Sequence, residues 1–186
     1  METYPTDINP GNLEKSPQKP VNAITKGVVI SLLLIVLGLA FYYLDIDLSN
    51  GLQYLFTLIA IGGIVWAVLS YGKQIDYDGT FGKYFSHGFA VTAIVTLLMI
   101  AFTLVELYLI PGFKEDLLQK SAEQAAKSQQ DSKATQEQME VGLEFFKKHM
   151  TLFIVGGTLL SYVFFGTIGA LIGAAVTKKN PKPIFD

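Results

Sequence analysis

The chain has 186 residues, of which 51% are hydrophobic and only 16% are charged, whereas a soluble domain carries about 25% charge. Its net charge of −2 argues against nucleic-acid binding, which needs a basic surface, and the absence of cysteine excludes disulfides and Cys-based metal sites. The apolar residues form long blocks with the charges between them. A bilayer selects this pattern, because a charge at mid-membrane costs about 2.5–3.5 kcal/mol.

The chain begins with a polar, proline-containing tail, 1–26, which lacks the hydrophobicity to pack and has no signal-peptide core. Four apolar segments follow, each long enough to cross about 30 Å of hydrocarbon as an α-helix. We predict membrane spans at 27–44, 52–71, 88–110 and 150–176, and a C-terminal tail at 177–186. The pair Pro111-Gly112 is expected to end the third span.

The segment 113–149 between the third and fourth spans is charged and rich in helix formers. Apolar residues recur at helical spacing in its second half and run directly into the fourth span, while 127–135 is almost wholly polar. We therefore predict an all-α integral membrane protein with four transmembrane helices and a helical hairpin, 113–149, between helices three and four. The pattern leaves open whether this hairpin is ordered in isolation.

The lysines of the short segments predict the orientation of the chain. The N-terminal tail holds three, the loop between spans two and three holds two, and the C-terminal tail holds three, whereas the loop between spans one and two holds none. Because short cytoplasmic loops carry an excess of Lys and Arg, both termini are expected in the cytoplasm and the hairpin 113–149 on the opposite side.

The third span carries the one acid found within the predicted spans, Glu106. At 100° per residue, Thr92, Thr96, Thr103 and Glu106 share one helix face. An intramembrane acid indicates a functional site, and this Thr/Glu stripe could line a proton or cation path. The alternative is packing, because threonines can bond to the preceding turn of their own helix and Glu106 lies about 6 Å from the helix end. The other predicted spans offer no second buried acid, no base and no Asn or Gln as a partner for Glu106.

Small residues form a face on each of two other spans and allow helices to approach closely in lipid. These candidate packing residues are Ala60, Gly63, Ala67 and Ser70 on the second span, and Gly166, Gly169, Ala170 and Gly173 on the fourth. The faces could pack within one bundle or mediate homodimerisation.

The loop before the third span combines aromatic residues with lysines, which typically anchor helix ends at a membrane interface. Asp78-Gly79 indicates a turn, and Thr80 is a candidate N-cap for a short interfacial helical run. A lipid headgroup or a partner protein could also bind here. Phosphate binding of the P-loop kind is not expected, because the Gly-Lys-Ser/Thr ending is missing.

The aromatic, glycine-rich segment 78–88 (DGTFGKYFSHG) resembles a family of bacterial membrane proteins, the domain of unknown function 4199. The resemblance continues through 110–113 (IPGF), a charged insert, and the Gly/Ala-rich ending 169–179 that closes on two lysines, and covers about 26–181. It implies a multi-pass protein of the bacterial inner membrane, in Bacteroidetes-type organisms. The family has no established catalytic or ligand residues to transfer.

From these patterns we expect a non-enzymatic membrane protein that acts in interaction or assembly. The sequence shows no Ser/His/Asp set, no paired catalytic carboxylates and no metal-ligand spacing, so we expect no catalytic, cofactor-binding or metal-binding residues and no nucleic-acid partner. The expected partners are the lipid bilayer and, through the hairpin 113–149, a second copy or a periplasmic or membrane protein. The alternative function is a small oligomeric transporter or channel that uses the Thr/Glu stripe.

Overall fold

The computed structural model of the chain describes residues 21–44, 46, 51, 53–129 and 136–178. Over these residues it contains six α-helices and no β-strand, so the predicted all-α fold class is confirmed. The helices are α1 (Ala23–Tyr43), α2 (Gln53–Gln74), α3 (Phe81–Leu109), α4 (Phe113–Gln129), α5 (Gln136–Lys148) and α6 (Met150–Val176).

Helices α1, α2, α3 and α6 are long and apolar enough to cross a membrane. Each turns large apolar side chains outward, and Leu32, Leu58, Leu97 and Leu160 are all more than half exposed. In water such surface would cost about 25 cal/mol per Å², whereas lipid tails are as apolar as leucine. The outer surface of the four helices therefore fits a bilayer environment.

Three helices extend beyond their predicted spans: α1 at the end next to the polar tail, and α2 and α3 at the ends next to the lysine-containing loop. α3 begins at Phe81 rather than at 88, because Thr80 caps it: its side-chain oxygen accepts a hydrogen bond from the Lys83 backbone N–H at 3.4 Å. The predicted N-cap is thus confirmed. α2 likewise continues to Gln74 rather than ending at 71. Hydropathy detects where the apolar run stops, but helical hydrogen bonding continues past it.

The predicted polar tail needs a correction at its end. α1 begins at Ala23, not at 27, and Lys26 in its first turn is buried with 2% exposure. The sequence places Lys26 in the tail because a charge ends the apolar run, but helix geometry turns this side chain toward the neighbouring helices.

Helix α3 lies at the centre of the four spanning helices and packs against α1, α2 and α6. Its buried face includes Val91 and Val95, which pack in one core with Leu34 of α1 and Ile64 of α2. Gly88 allows α6 to approach, since a Cβ there would lie 3.0 Å from the Ala170 Cα. Because α3 contacts all three of the other spanning helices, polar groups on its buried face lie inside the bundle.

Helices α4 and α5 occupy the predicted hairpin, and the centre of the predicted turn, 130–135, lies outside the described residues. α3 ends at Leu109, immediately before Ile110-Pro111-Gly112, as expected. α5 and α6 are separated only at His149, whose N–H donates to the Phe145 carbonyl at 3.1 Å and whose carbonyl accepts from the Phe153 N–H at 3.1 Å. α5 is therefore joined to the last spanning helix with almost no break in the backbone hydrogen bonding.

Candidate functional site

The predicted threonine stripe lies on the buried face of α3. Thr92, Thr96 and Thr103 are all buried. The Thr92 hydroxyl donates to the Gly88 carbonyl at 3.0 Å, and the Thr96 hydroxyl donates to the Thr92 carbonyl at 2.8 Å. These two hydroxyls are satisfied by the preceding turn of their own helix, so each can be buried without water or another helix as a partner.

Glu106 lies on the same helix near its hairpin end and is partly buried. It forms no ion pair with any residue that the structure describes. The Tyr162 side chain of α6 lies close enough to interact with it electrostatically. The stripe therefore ends on a carboxyl group that interacts electrostatically with a tyrosine of the neighbouring spanning helix.

A polar cluster that the sequence analysis missed lies at the opposite end of α3. Its centre is Lys26, whose Nζ donates to the backbone carbonyl of Ala67 on α2 at 3.0 Å. The same Nζ lies 5.7 Å from the ring centroid of Tyr71, a cation–π contact. No described carboxylate pairs with it. A buried ammonium group without an anionic partner is costly, so this lysine is a candidate functional group.

Three aromatic side chains complete this cluster. The His87 ring stacks on the Tyr71 ring with centroids 4.0 Å apart, and the Tyr84 ring meets Tyr71 edge-on at 6.4 Å. The Tyr84 hydroxyl and the His87 Nε2 are both buried and have no hydrogen-bond partner. Buried polar atoms are almost always paired, so two unpaired atoms in one cluster mark a place that can accept a water molecule or another small polar group.

The local fold explains this arrangement around Tyr84. Gly79 lies so close to the ring that a Cβ there would be 2.7 Å from the Tyr84 Cζ, so only glycine leaves room for the buried tyrosine. The two residues before the turn, Asp76 and Tyr77, adopt positive φ angles of 50° and 59° and reverse the chain between α2 and α3. The loop 75–80 thus reverses the chain between α2 and α3, so that Tyr84 and His87 of α3 contact Tyr71 of α2.

The buried face of α3 therefore carries polar groups along most of its length, from the lysine cluster to the hairpin end. In order they are Tyr84, His87, Thr92, Thr96, Thr103 and Glu106. At 1.5 Å per residue, about 28 Å separates His87 from Glu106. The apolar side chains of Val91, Val95 and Met99 interrupt this row, so the two ends are distinct sites in the structure.

The small-residue face of α6 packs inside this bundle. A Cβ at Gly166 would overlap the Thr92 side chain of α3. A Cβ at Gly169 would lie 3.1 Å from the Ile61 carbonyl oxygen, and one at Gly173 would lie 2.9 Å from the Val68 Cβ. Ala170, on the same face, is fully buried. The structure therefore places these residues against α2 and α3 of the same chain.

The small-residue face of α2 is also covered within the chain. Ala60 and Ala67 are buried in the core, and a Cβ at Gly63 would lie 3.1 Å from the Ile30 side chain of α1. Ser70 is partly buried and accepts a hydrogen bond from the Gln74 side chain at 3.5 Å. Lys26 itself could have been suspected from the sequence, because it directly precedes the apolar run of α1 and a helix can turn such a side chain inward, but its partners on α2 and α3 could not.

These features define the class of protein: an all-helical, multi-pass membrane protein whose four spanning helices enclose a polar face on the central helix. Among the described residues, no group of three His, Asp or Glu side chains could hold a metal ion.

Residues 25–179 match the model of a family described as "Protein of unknown function (DUF4199)", and the chain belongs to that family. The resemblance seen in the sequence is thereby confirmed. No curated protein and no solved structure matches the chain.

Proposed function

We propose that this protein is a non-enzymatic interaction or assembly protein of the bacterial inner membrane and that its α4–α5 hairpin is the element that binds a protein partner. The observation that carries the proposal is an apolar pair on α5. Val141 and Phe145 are 63% and 56% exposed and lie one helical turn apart, beyond the end of the apolar helix α6. Exposed apolar surface of this kind is typical of interaction sites.

The bundle interior supports the same proposal indirectly. Its small-residue faces, which could otherwise mediate association in lipid, are occupied by neighbouring helices of the same chain. Over the residues that the structure describes, the hairpin in contrast has little internal packing, because α4 and α5 contact each other only sparsely there. Ordering such a polar hairpin costs conformational entropy, and burial against a second protein surface would offset that cost.

A photo-crosslinking residue placed at position 141 tests this proposal in native membranes. We expect a discrete protein adduct, either of a second copy or of a different membrane or periplasmic protein. The adduct should disappear when Phe145→Asp is added. The matched control carries the crosslinker at Lys120, an exposed position on α4. Equal crosslinking from both positions, or crosslinking to lipid alone, would contradict docking through α5.

The proposed orientation places both termini in the cytoplasm and the hairpin in the periplasm, in accordance with the distribution of lysines. Since the chain has no cysteine, a single cysteine introduced at a chosen position can report on which side of the membrane that position lies. A membrane-impermeant maleimide should label Lys120→Cys in spheroplasts and leave Lys83→Cys unlabelled until the membrane is opened. Labelling of Lys83→Cys but not of Lys120→Cys in intact spheroplasts would show that the orientation is the opposite of the one proposed.

Transport is the second candidate function, and one observation favours it. The buried Lys26 cluster and Glu106 place ionisable groups at both ends of the α3 polar face, where the sequence alone offered only Glu106. Proton or ion flux into liposomes that contain the purified protein tests this alternative. If the protein is a transporter, Glu106→Gln should abolish the flux. Glu140→Gln, which changes an exposed residue on α5, should leave the flux unchanged. Absence of flux in the unmodified protein would exclude it.

A further inference from the structure

A cleft of about 420 Å³ lies where α3 passes into α4 and α5 passes into α6. Three lysines line it, Lys114, Lys147 and Lys148, together with His149. None of these lysines forms an ion pair with a residue that the structure describes, and one acid, Glu115, is among the described lining residues. Positive charge therefore predominates in the cleft, which favours an anionic occupant.

Contacts between neighbouring helices hold one of these lysines at the cleft. The Lys114 Nζ lies 4.0 Å above the centroid of the Tyr108 ring, a cation–π contact. The Tyr108 hydroxyl in turn lies 3.1 Å from the hydroxyl of Thr151 in the first turn of α6. The ammonium group is thus positioned between the end of α3 and the start of α6.

The other side of the cleft is apolar and continues onto the outer surface of the bundle. Met150 and Leu152 of α6 line it, and Leu152 is 71% exposed. Leu109, at the end of α3, is also largely exposed. A basic surface directly above an exposed apolar surface, at the end of two membrane-spanning helices, is complementary to an amphiphile with an anionic head and apolar tails.

We propose that this cleft binds the phosphate-bearing headgroup of an anionic phospholipid. The headgroup phosphate lies among Lys114, Lys147 and Lys148, and an acyl chain runs along Leu152 on the outer surface of α6. A free phosphate ion would contact the lysines but not the apolar side, and lysine ammonium groups in water hold such an ion weakly. A phospholipid is already present in the bilayer beside the cleft. Contact of its acyl chain with Leu152 adds to the attraction between its phosphate and the lysines.

Native mass spectrometry of the full-length protein, released from detergent micelles with dioleoylphosphatidylglycerol or dioleoylphosphatidylcholine, tests this site. We expect preferential binding of phosphatidylglycerol. Lys147→Gln/Lys148→Gln should weaken that binding by about thirtyfold, because the electrostatic attraction of each lysine near an anionic membrane surface corresponds to about a fivefold change in affinity. The matched control, Lys83→Gln/Lys120→Gln, removes two exposed lysines that do not line the cleft and should leave binding unchanged.

Two further measurements distinguish a bound phospholipid from a free phosphate ion. Leu152→Asn changes an exposed residue and should weaken phosphatidylglycerol binding severalfold without altering the helical circular dichroism. Excess inorganic phosphate should not displace the lipid. Displacement by phosphate would assign the cleft to a free anion and overturn the proposal. Equal binding of both lipids, or equal losses in the cleft and control double variants, would overturn it as well. None of these readouts depends on a protein partner of α5.

Discussion

The four spanning helices and the α4–α5 hairpin differ in how much of their side-chain surface they bury within the chain. In the bundle, the central helix α3 packs against three neighbours, and glycines such as Gly88 and Gly166 bring the backbones close. In the described part of the hairpin, α4 and α5 barely touch, and apolar side chains such as Val141 remain exposed. The small-residue faces of the spanning helices are covered within one chain, whereas described apolar side chains of the hairpin have no such cover.

The physical reason for this difference is that the spanning helices pack in lipid, whereas the hairpin packs in water. Helices in lipid gain no hydrophobic driving force from each other, so they associate through close van der Waals packing at small residues. Helices in water associate by burying apolar surface, and the short, charged arms of the hairpin bury little. The following variants test this contrast, from the largest expected effect on stability to the smallest.

Gly166→Ala should produce the largest loss of stability. The added methyl group overlaps the Thr92 side chain, and overpacking of this kind costs about 1–3 kcal/mol. The midpoint of SDS-induced unfolding in mixed micelles, followed by circular dichroism, measures the loss. Gly157→Ala is the matched control on the same helix, because a Cβ there meets nothing within 4 Å. Equal midpoints for the two variants would show that α6 does not pack tightly against α3.

Lys26→Met should raise the free energy of unfolding by about 1–2 kcal/mol. A buried charge without an anionic partner costs more to desolvate than its hydrogen bond to the Ala67 carbonyl and its cation–π contact with Tyr71 return, whereas methionine of similar length can fill the space. The same unfolding titration measures the change. Lys73→Met, at an exposed position, should have little effect. A marked destabilisation by Lys26→Met would instead indicate a favourable partner for the ammonium group in the folded protein.

Tyr84→Phe should stabilise the bundle by about 1 kcal/mol, because it removes a buried hydroxyl that has no hydrogen-bond partner. Thermal unfolding in detergent micelles provides the measurement. Tyr54→Phe, which removes an exposed hydroxyl from α2, serves as its control and should change nothing. A lower unfolding temperature for Tyr84→Phe would show that a bound water or ligand satisfies the hydroxyl in the protein.

Val141→Asn should have the smallest effect on stability, within about 0.5 kcal/mol, because the side chain is exposed and has no core contacts. Its effect on partner binding should nevertheless be large. Crosslinking from position 145 in native membranes, with and without this substitution, measures that binding. Val176→Asn is a control at another exposed valine, on α6 far from the hairpin. A large loss of folding stability would mean that Val141 packs within the chain rather than against a partner.

Several features of the fold follow from local sequence and could be predicted residue by residue. Thr80 caps α3 because a threonine before an aromatic, apolar run offers its oxygen to the first N–H groups. Pro111-Gly112 ends α3 because proline cannot continue the helical hydrogen bonding. The start of α3 at Phe81 could not be read from hydropathy, since its first turns contain lysine and histidine.

The candidate site was predicted only in part. The threonine stripe could be identified because its members recur at helical spacing on one helix. A helical wheel shows such a face and requires only the sequence. The cluster around Lys26 could not, because its members belong to three helices. Its contacts depend on how α1 and α2 are rotated toward α3, which brings Tyr71 onto His87. Glu106 similarly meets Tyr162 through the packing of α3 on α6.

The sequence by itself determined that this protein has four apolar spanning helices, an all-α fold and a charged helical hairpin after the third span. These properties depend on hydropathy and periodicity along one segment at a time, so no contact needs to be known. Only the tertiary structure decided that Lys26 is buried, that the small-residue faces pack inside the chain and that three lysines meet at the base of the hairpin. These properties depend on which helix faces meet, and the relative rotation of helices is a property of the assembled bundle.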